Sequence, residues 1–295
     1  MQTAVPYSIY LQHPVISTDT RNIPQGSIFF ALKGANFNGN TFAKDALAKG
    51  AAYVVIDEAA YHIDERTILV DDVLTALQEL AKCHRSQLTI PVIGITGTNG
   101  KTTTKELLHA VLSQKFKTFA TQGNLNNHIG VPLSLLSVHS EHEIAIIEMG
   151  ANHQGEIAAL CKMSQPDYGL ITNVGKAHLE GFGGFEGVKK AKGELYTCLL
   201  ERKGLVFYDS DNEHLKDMLP AGVNKMSYSV EQEVRMLSAF PTVDILIDIA
   251  AHSIECKTHL SGTYNLPNLL VAARVGHYFG VSNQQIKAGL EGYVP

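Results

Sequence analysis

Gly94-Ile-Thr-Gly-Thr-Asn-Gly-Lys-Thr-Thr103 sets closely spaced glycines, a lysine and hydroxyls between an apolar run and a helix-forming one. Gly97 and Gly100 let the backbone turn so that its N–H groups aim at phosphate oxygens. A helix starting near Lys101 adds partial positive charge there, and Lys101 itself neutralises β- and γ-phosphates. Thr102 offers a hydroxyl to Mg2+. The chemistry expected is binding of ATP with Mg2+ through Gly97, Thr98, Asn99, Gly100, Lys101, Thr102 and Thr103. The literal pattern GxxxxGK[ST] calls for glycine at position 95, but Ile95 stands there and the glycines fall at 94 and 97. An ordinary glycine-rich strand-to-helix turn is the alternative, and Lys101-Thr-Thr after a strand speaks against it.

Holding a metal beside phosphate also needs carboxylates. Glu148 closes the apolar run Ile144 to Glu148 just before Met-Gly. Such a residue falls at the carboxyl edge of a parallel sheet, where open α/β folds place ligands. It reads as an Mg2+ ligand, and a surface carboxylate in a turn is the competing reading. Asn124, Asn126 and Asn127 cluster with His128 between Gly123 and Gly130, where a regular helix does not fit. Their amides suit a polar, uncharged grip on a peptide or sugar. Each of them singly is explained as well by Asx turns.

The elements that must carry these residues alternate. Ser27 to Leu32 and Ala52 to Ile56 read as strands and Thr41 to Lys49 as a helix, which makes a small α/β unit. Leu74 to Ser86 has amphipathic helical spacing, and Gln87 to Pro91 breaks the pattern. The expected division is a domain of residues 1–86 and a second of 87–295. In the second, Val92 to Thr96, Ile144 to Glu148, Tyr168 to Asn173 and Leu205 to Tyr208 are near-continuous apolar strands joined by helices. That pattern implies an α/β fold whose mainly parallel sheet is flanked by helices on both faces. Ile245, Ile247, Ile249 and Ala251 alternate with other residues, so Asp244 to Leu260 is expected to be a β-rich excursion with an exposed or edge strand. A helix from about Leu266 to Phe279 should follow it.

With 295 residues, 45% hydrophobic and 18% charged, the chain suffices for two domains. A net charge of -5 provides no overall attraction to nucleic acid or an anionic membrane. Cys83, Cys161, Cys198 and Cys256 form neither a CxxC pair nor a disulfide framework, which favours a reducing cytoplasm. There is no secretory leader pattern and no run of about 18 apolar residues, so membrane insertion is not expected.

Gly97-Thr-Asn-Gly-Lys-Thr-Thr is similar to the nucleotide loop of the Mur ligase family, which also includes folylpolyglutamate synthases. Four further stretches resemble the member that adds D-alanyl-D-alanine to UDP-N-acetylmuramoyl tripeptide. They are Gly123-Asn-Leu-Asn-Asn-His-Ile-Gly-Val-Pro132, Glu148-Met-Gly-Ala-Asn-His-Gln-Gly-Glu-Ile157, Asn173 through His178-Leu-Glu-Gly-Phe182, and Lys190-Ala-Lys-Gly-Glu-Leu-Tyr196. Ala151-Asn-His-Gln-Gly155 discriminates best among siblings. Ser17-Thr-Asp-Thr-Arg21 and Gly26 through Gly34 look like the first domain of the same ligases, which holds the UDP end of the substrate.

The resemblance implies an ATP-dependent amide-forming ligase of peptidoglycan precursor synthesis. A substrate carboxylate is phosphorylated to an acyl phosphate that an incoming amine attacks. Lys101, Glu148, His178 and Lys192 would carry the chemistry, with Thr102, Glu148, His178 and Lys192 around the metal. Lys192 aligns with a lysine that CO2 carbamylates in related ligases, although beside Lys189 and Lys190 it also fits a solvated helix face. Asn265 and Asn268 match family residues that contact nucleotide, while Tyr264 stands where the family has histidine. Helix capping by Asn265 is the alternative. Thr18, Asp19, Arg21 and Lys33, with Asn36 beside them, would meet uridine or diphosphate. Asn124, Asn126, Asn127 and His153 would meet the rest of the substrate. A monomer is expected.

Family members also have a third, C-terminal Rossmann-like domain that closes over ATP. The chain stops at Pro295 about where that domain would begin, which suggests a truncated, poorly active form. Three other readings stand beside this one: a sibling ligase acting on another muramoyl peptide or on folate, a non-catalytic nucleotide-binding module, and a P-loop kinase or GTPase. The last lacks a guanine-reading Asn-Lys-x-Asp. Whether the third peptide residue is lysine or diaminopimelate is not written in the sequence.

Overall fold

Val92–Thr96 is apolar on both faces and all five of its residues are buried, as a central parallel strand requires. The computed structural model describes residues 5–176, 179–250 and 252–295. Contacts divide the chain into two units. One runs to Thr89 and includes His128–His139; the other comprises Ile90–Asn127 and Ser140–Pro295.

The first unit contains α1 (Tyr7–Gln12), β1 (Ile16–Ser17), β2 (Ile28–Phe30), β3 (Lys33–Gly34), β4 (Phe37–Asn38), α2 (Ala43–Ala48), β5 (Tyr53–Ile56), β6 (Thr67–Leu69), α3 (Val73–Gln87) and, from further along the chain, α5 (Gly130–Leu136). Its four-stranded parallel sheet has the order β1-β2-β5-β6, with β3 and β4 as a separate hairpin. Phe29, Val54 and Ile56 pack on Ala43, Ala46 and Leu47 of α2. Helix α3 starts where Asp72 accepts the Thr75 N–H at 2.7 Å, a side-chain N-cap. α5 packs on α3. His84 of α3 donates from Nε2 to the Val138 carbonyl at 2.7 Å, and its Nδ1 takes the Tyr7 hydroxyl at 2.9 Å.

The second unit holds β7 (Val92–Thr96), α4 (Lys101–Leu112), β8 (Thr118–Ala120), β9 (Ile144–Glu148), α6 (Glu156–Ser164), β10 (Tyr168–Ile171), α7 (Leu179–Phe182), α8 (Phe185–Glu201), β11 (Leu205–Asp209), α9 (Glu213–Asp217) and β12 (Asn224–Tyr228). After these come α10 (Val230–Glu233), β13 (Val234–Ser238), β14 (Asp244–Ile249), β15 (His252–Lys257), α11 (Leu266–Tyr278) and α12 (Asn283–Gly292). Six strands form a parallel sheet of order β12-β11-β10-β7-β9-β8. The chain leaves β7 toward β8 and β9 and then crosses back to β10. The carboxyl ends of β7, β9 and β10 therefore flank the place where the strand order reverses, which is where such sheets bind ligands.

The β-rich excursion is a three-stranded antiparallel sheet of order β13-β14-β15. The edge position expected for the alternating strand does not hold, because β14 lies in the middle. Ile245, Ile247 and Ile249 are buried with Ile254 and Cys256, in one core with α4, α11 and α12. Alternation records burial on one face, and a central strand of a sheet covered on one side alternates as an edge strand does. Ala251 lies outside the described residues. Among the described residues no helix is long and apolar enough to cross a membrane.

Candidate functional site

The glycine-rich loop joins β7 to α4. Gly97 has φ 149°, and a Cβ there would lie 2.0 Å from Thr172 Oγ1. Gly100 has φ 76°, and a Cβ there would lie 3.1 Å from Asn268 Oδ1. Neither position accepts a side chain without strain. Gly100 is the N-cap of α4 and has no side chain with which to cap it. The first-turn N–H groups, unpaired within any α-helix, are therefore left to the loop's mouth. Lys101 Nζ folds back onto the Gly97 and Thr98 carbonyls at 2.8 and 3.0 Å. Burial holds its pKa below the ordinary lysine value, partly offset by the Glu148 charge.

The end of β10 braces the loop from beneath. Thr98 N–H donates to Asn173 O at 3.0 Å. Asn99 N–H donates to Asn173 Oδ1 at 3.0 Å, and Thr172 Oγ1 and Asn173 Nδ2 both donate to Asn99 O at 2.6 and 3.0 Å. From the other side, Thr104 Oγ1 donates to Asn268 Oδ1 at 3.0 Å. Asn268 Nδ2 then donates to Asn265 Oδ1 at 3.1 Å, and Asn265 Nδ2 to Ser261 O at 3.0 Å. Asn265 occupies the N-cap position of α11 without a side-chain cap bond, so the amide serves this relay instead of capping. Tyr264 is exposed, its ring lying against Gly262.

Glu148, 1% exposed, ends β9. Its Oε1 accepts from Asn126 Nδ2 at 2.9 Å and from Thr102 Oγ1 at 3.4 Å, while its Oε2 is buried with no hydrogen-bond partner among the described residues. A buried carboxylate oxygen without a donor is costly unless a cation completes it. Thr102 and Glu148 supply hard oxygens, the donor type Mg2+ takes, and Mg2+ draws its other ligands from phosphate and water instead of a protein cage. The donor set therefore fits Mg2+. His178 lies outside the described residues.

Lys192 of α8 is buried while Lys190 is exposed, which removes the solvated-face reading. Burial first, then the Lys101 charge, bring its pKa down to about 8, against the pull of Glu156 and Glu194. Its Nζ lies 5.4 Å from the centre of the Phe182 ring. Loop glycines, Lys101, Thr102, Glu148, Asn126, Asn265 and Asn268 are thus brought together, and Lys192 feels the Lys101 charge. Thr103 sits in the first turn of α4.

Asn124, Asn127 and His153 are exposed. The Asn124 carbonyl accepts the Asn126 N–H at 2.7 Å, so Asn124 shapes the turn that aims Asn126. His153 Nδ1 lies 3.2 Å from Glu156 Oε1. Burial raises the Glu156 pKa, but the Asn152 and His153 N–H groups outweigh it and hold the carboxyl low.

In the first unit, Thr18, Asp19, Arg21, Lys33 and Asn36 follow the carboxyl ends of β1 and β2. Arg21 folds onto Asp19, with Nη2 2.8 Å from Oδ2, and that contact holds Asp19 down to about 2. Lys33 Nζ is 3.0 Å from Asp57 Oδ1. Asn36 is exposed in the turn between β3 and β4.

Three groups escaped sequence reasoning. Thr172 and Asn173 brace the loop. Lys105, fully buried, gives Nζ to Thr121 O at 2.6 Å and Gly123 O at 3.4 Å beside Glu106 at 2.9 Å. Glu194 accepts the Gly155 and Ala158 N–H groups at 2.6 and 2.8 Å, anchoring the start of α6. A lysine on the apolar face of α4 was the available signal for Lys105.

Residues 95–276 match the model of the Mur ligase middle domain, and residues 14–85 match that of the Mur ligase family catalytic domain. The chain belongs to the Mur ligase family. Among relatives, the UDP-N-acetylmuramoyl-tripeptide--D-alanyl-D-alanine ligase of Bacillus subtilis (strain 168) is 36% identical over 94% of this chain and 61% of its own length. A crystal structure of MurF from Acinetobacter baumannii superposes with a TM-score of 0.84 at 34% identity, covering 95% of this chain and 63% of that one. MurF ligase from Thermotoga maritima in complex with ADP gives 0.81 at 28% identity, covering 94% and 66%. This Mur ligase chain spans about three fifths of the length of the curated relatives it matches.

Proposed function

We propose that the chain carries the UDP-substrate and ATP-handling parts of a ligase that joins D-alanyl-D-alanine to UDP-N-acetylmuramoyl tripeptide in the cytoplasm. The observation that carries this reading is the meeting of Lys101, Thr102 and the half-satisfied Glu148 at the mouth of the loop. The names of the 36%-identical relatives support the choice of substrates.

The substrate's terminal carboxylate attacks the γ-phosphorus of ATP. ADP leaves, the dipeptide amine attacks the acyl phosphate, and phosphate departs as the amide forms. Anions must be brought together, so screening matters most. Lys101 exchanges its two loop carbonyls for β- and γ-phosphate oxygens, and the N–H groups of Gly100 to Thr103 at the start of α4 hold the phosphates, while those of Thr98 and Asn99 stay on Asn173. Asn265 and Asn268 keep α11 against the loop and face nucleotide. Thr102 and Glu148 would hold one Mg2+ beside the phosphates, and carbamylated Lys192, with His178, would help hold a second. The metal supplies charge neutralisation on the transferred phosphoryl group. A pKa near 8 leaves Lys192 a useful fraction of neutral amine, the form that reacts with CO2. Asn124, Asn126, Asn127 and His153 would meet the peptide part of the substrate, and Thr18, Asp19, Arg21 and Lys33 the UDP part.

Mass spectrometry of amide products tests the reading, with Mg-ATP, UDP-N-acetylmuramoyl tripeptide and competing amines present together. Product with D-alanyl-D-alanine, and not with glutamate or a diamino acid, is expected. Preference for another amine would assign the chain to a sibling reaction. Mg-ATP binding with neither amide product nor binding of the UDP-N-acetylmuramoyl tripeptide would favour a nucleotide-binding module.

A further inference from the structure

Two of the four cysteines are brought to one place by the packing of α6 on α8. Cys161 on α6 is buried and Cys198 on α8 is half-buried. Both line an open cavity of about 410 Å³ together with Lys162, Gln165, Glu194 and Arg202. The Cys161 thiol donates to Met149 Sδ at 3.9 Å and lies close enough to Cys198 for the two thiols to influence each other. Proximity to Cys198 and burial push the Cys161 thiol up, while the neighbouring Cys161 and the Arg202 charge draw Cys198 down against burial and the Glu201 charge. Arg202 is itself fixed, with Nε donating to Pro166 O at 3.2 Å. Cys256 is inert by comparison, since burial pushes its thiol up to about 12.

We infer that Cys161 and Cys198 form a dithiol modification site, in which Cys198 attacks a low-molecular-weight disulfide entering the cavity and Cys161 resolves the adduct. A nucleophilic thiol beside a cation, open to solvent and next to a second thiol, is the arrangement from which thiol–disulfide exchange proceeds. In the first step the Cys198 thiolate forms a bond to one sulfur of the small disulfide, and the other leaves as a thiolate. In the second, Cys161 loses its proton to that thiolate and attacks Cys198 sulfur, releasing the second small thiol. The two protein thiols are oxidised and one small disulfide is reduced to two thiols. Glu194 lines the same cavity and anchors α6 at Gly155 and Ala158. The adduct therefore bears on the residue that holds the turn carrying His153 and Glu156. The site stands independently of the ligase reading.

Oxidised glutathione is the probe, applied to the folded 295-residue chain with the exposed Cys83 replaced (Cys83→Ser) and followed by unreduced peptide mapping. A Cys161–Cys198 linked peptide pair that reductant releases is expected. In Cys161→Ala the reaction should stop at glutathione on Cys198, and in Cys198→Ala neither position should be modified. Timed iodoacetamide alkylation of the unsubstituted chain needs no variant to fold: Cys198 should react before Cys161 and Cys256. Reaction of Cys198 only after denaturation, or glutathione that stays on Cys198 while Cys161 is intact, would overturn the inference.

Discussion

Asn126 and Glu148 stand 22 residues apart and meet side chain to side chain, with Asn126 Nδ2 donating to Glu148 Oε1 at 2.9 Å. The amide orients the carboxylate so that Oε2 is left buried and, among the described residues, without a donor. Groups that hold a metal ligand in place weigh nearly as much as the ligand. Asn126→Ala is therefore expected to weaken Mg2+-dependent ADP binding about 10- to 100-fold, and Glu148→Gln at least as much. Both should leave metal-free ADP binding nearly unchanged. Calorimetry with and without Mg2+ checks this, and an equal loss in both conditions would argue against a metal role.

Gly97→Ala forces a Cβ to 2.0 Å from Thr172 Oγ1 at a backbone φ of 149°. A cost of about 1–3 kcal/mol is expected, together with loss of ADP binding. Gly123→Ala meets nothing within 4 Å at φ 53° and should cost about 1 kcal/mol. Urea midpoints of the two variants give the comparison, and equal shifts would contradict the bracing role assigned to Thr172.

The loop that carries Asn126 hangs from Lys105, whose Nζ meets Thr121 O, Gly123 O and Glu106. Lys105→Met leaves those acceptors short of a charged donor. It is expected to cost about 1–3 kcal/mol and to weaken Mg-ADP binding through Asn126, although Lys105 touches neither. Unaltered Mg-ADP affinity would show that the loop keeps its place without this anchor.

The phosphate loop and Glu148 were legible because both signals are local. Glycines before Lys-Thr-Thr and a carboxylate at the end of an apolar strand need no tertiary partner to be noticed. Thr172 and Asn173 were not legible as loop braces, since their bonds to Asn99 span 73 and 74 residues and exist only once β10 pairs with β7. Gly130–Leu136 has the apolar look of a core helix wherever it is placed, so nothing in it told that it packs on α3. Ile245, Ile247 and Ile249 showed their common face but not whether β14 had one neighbour or two. Lys192 and its neighbours Lys189 and Lys190 are alike in type, and only packing distinguishes the buried one.

Acid should loosen the first unit through His84. Burial lowers its pKa from 6.5, outweighing the Val138 carbonyl bond that raises it. The unfolded chain therefore binds the proton more readily. Stability is full above the unfolded value and falls as pH drops through 6.5 toward the depressed folded value. Protonation also turns Nδ1 from an acceptor of the Tyr7 hydroxyl into a donor, so that hydroxyl must reorient. Urea unfolding between about pH 7 and 5 should show this slope, flattened in His84→Gln. An unchanged slope in that variant would assign it to other groups.

Calorimetric titration with UDP-N-acetylmuramoyl tripeptide, against the dipeptide form and plain UDP, tests the proposed substrate most directly. Binding that favours the tripeptide over both controls is expected. Equal affinity for tripeptide and dipeptide forms, or no binding of any UDP-sugar while Mg-ADP still binds, would contradict it.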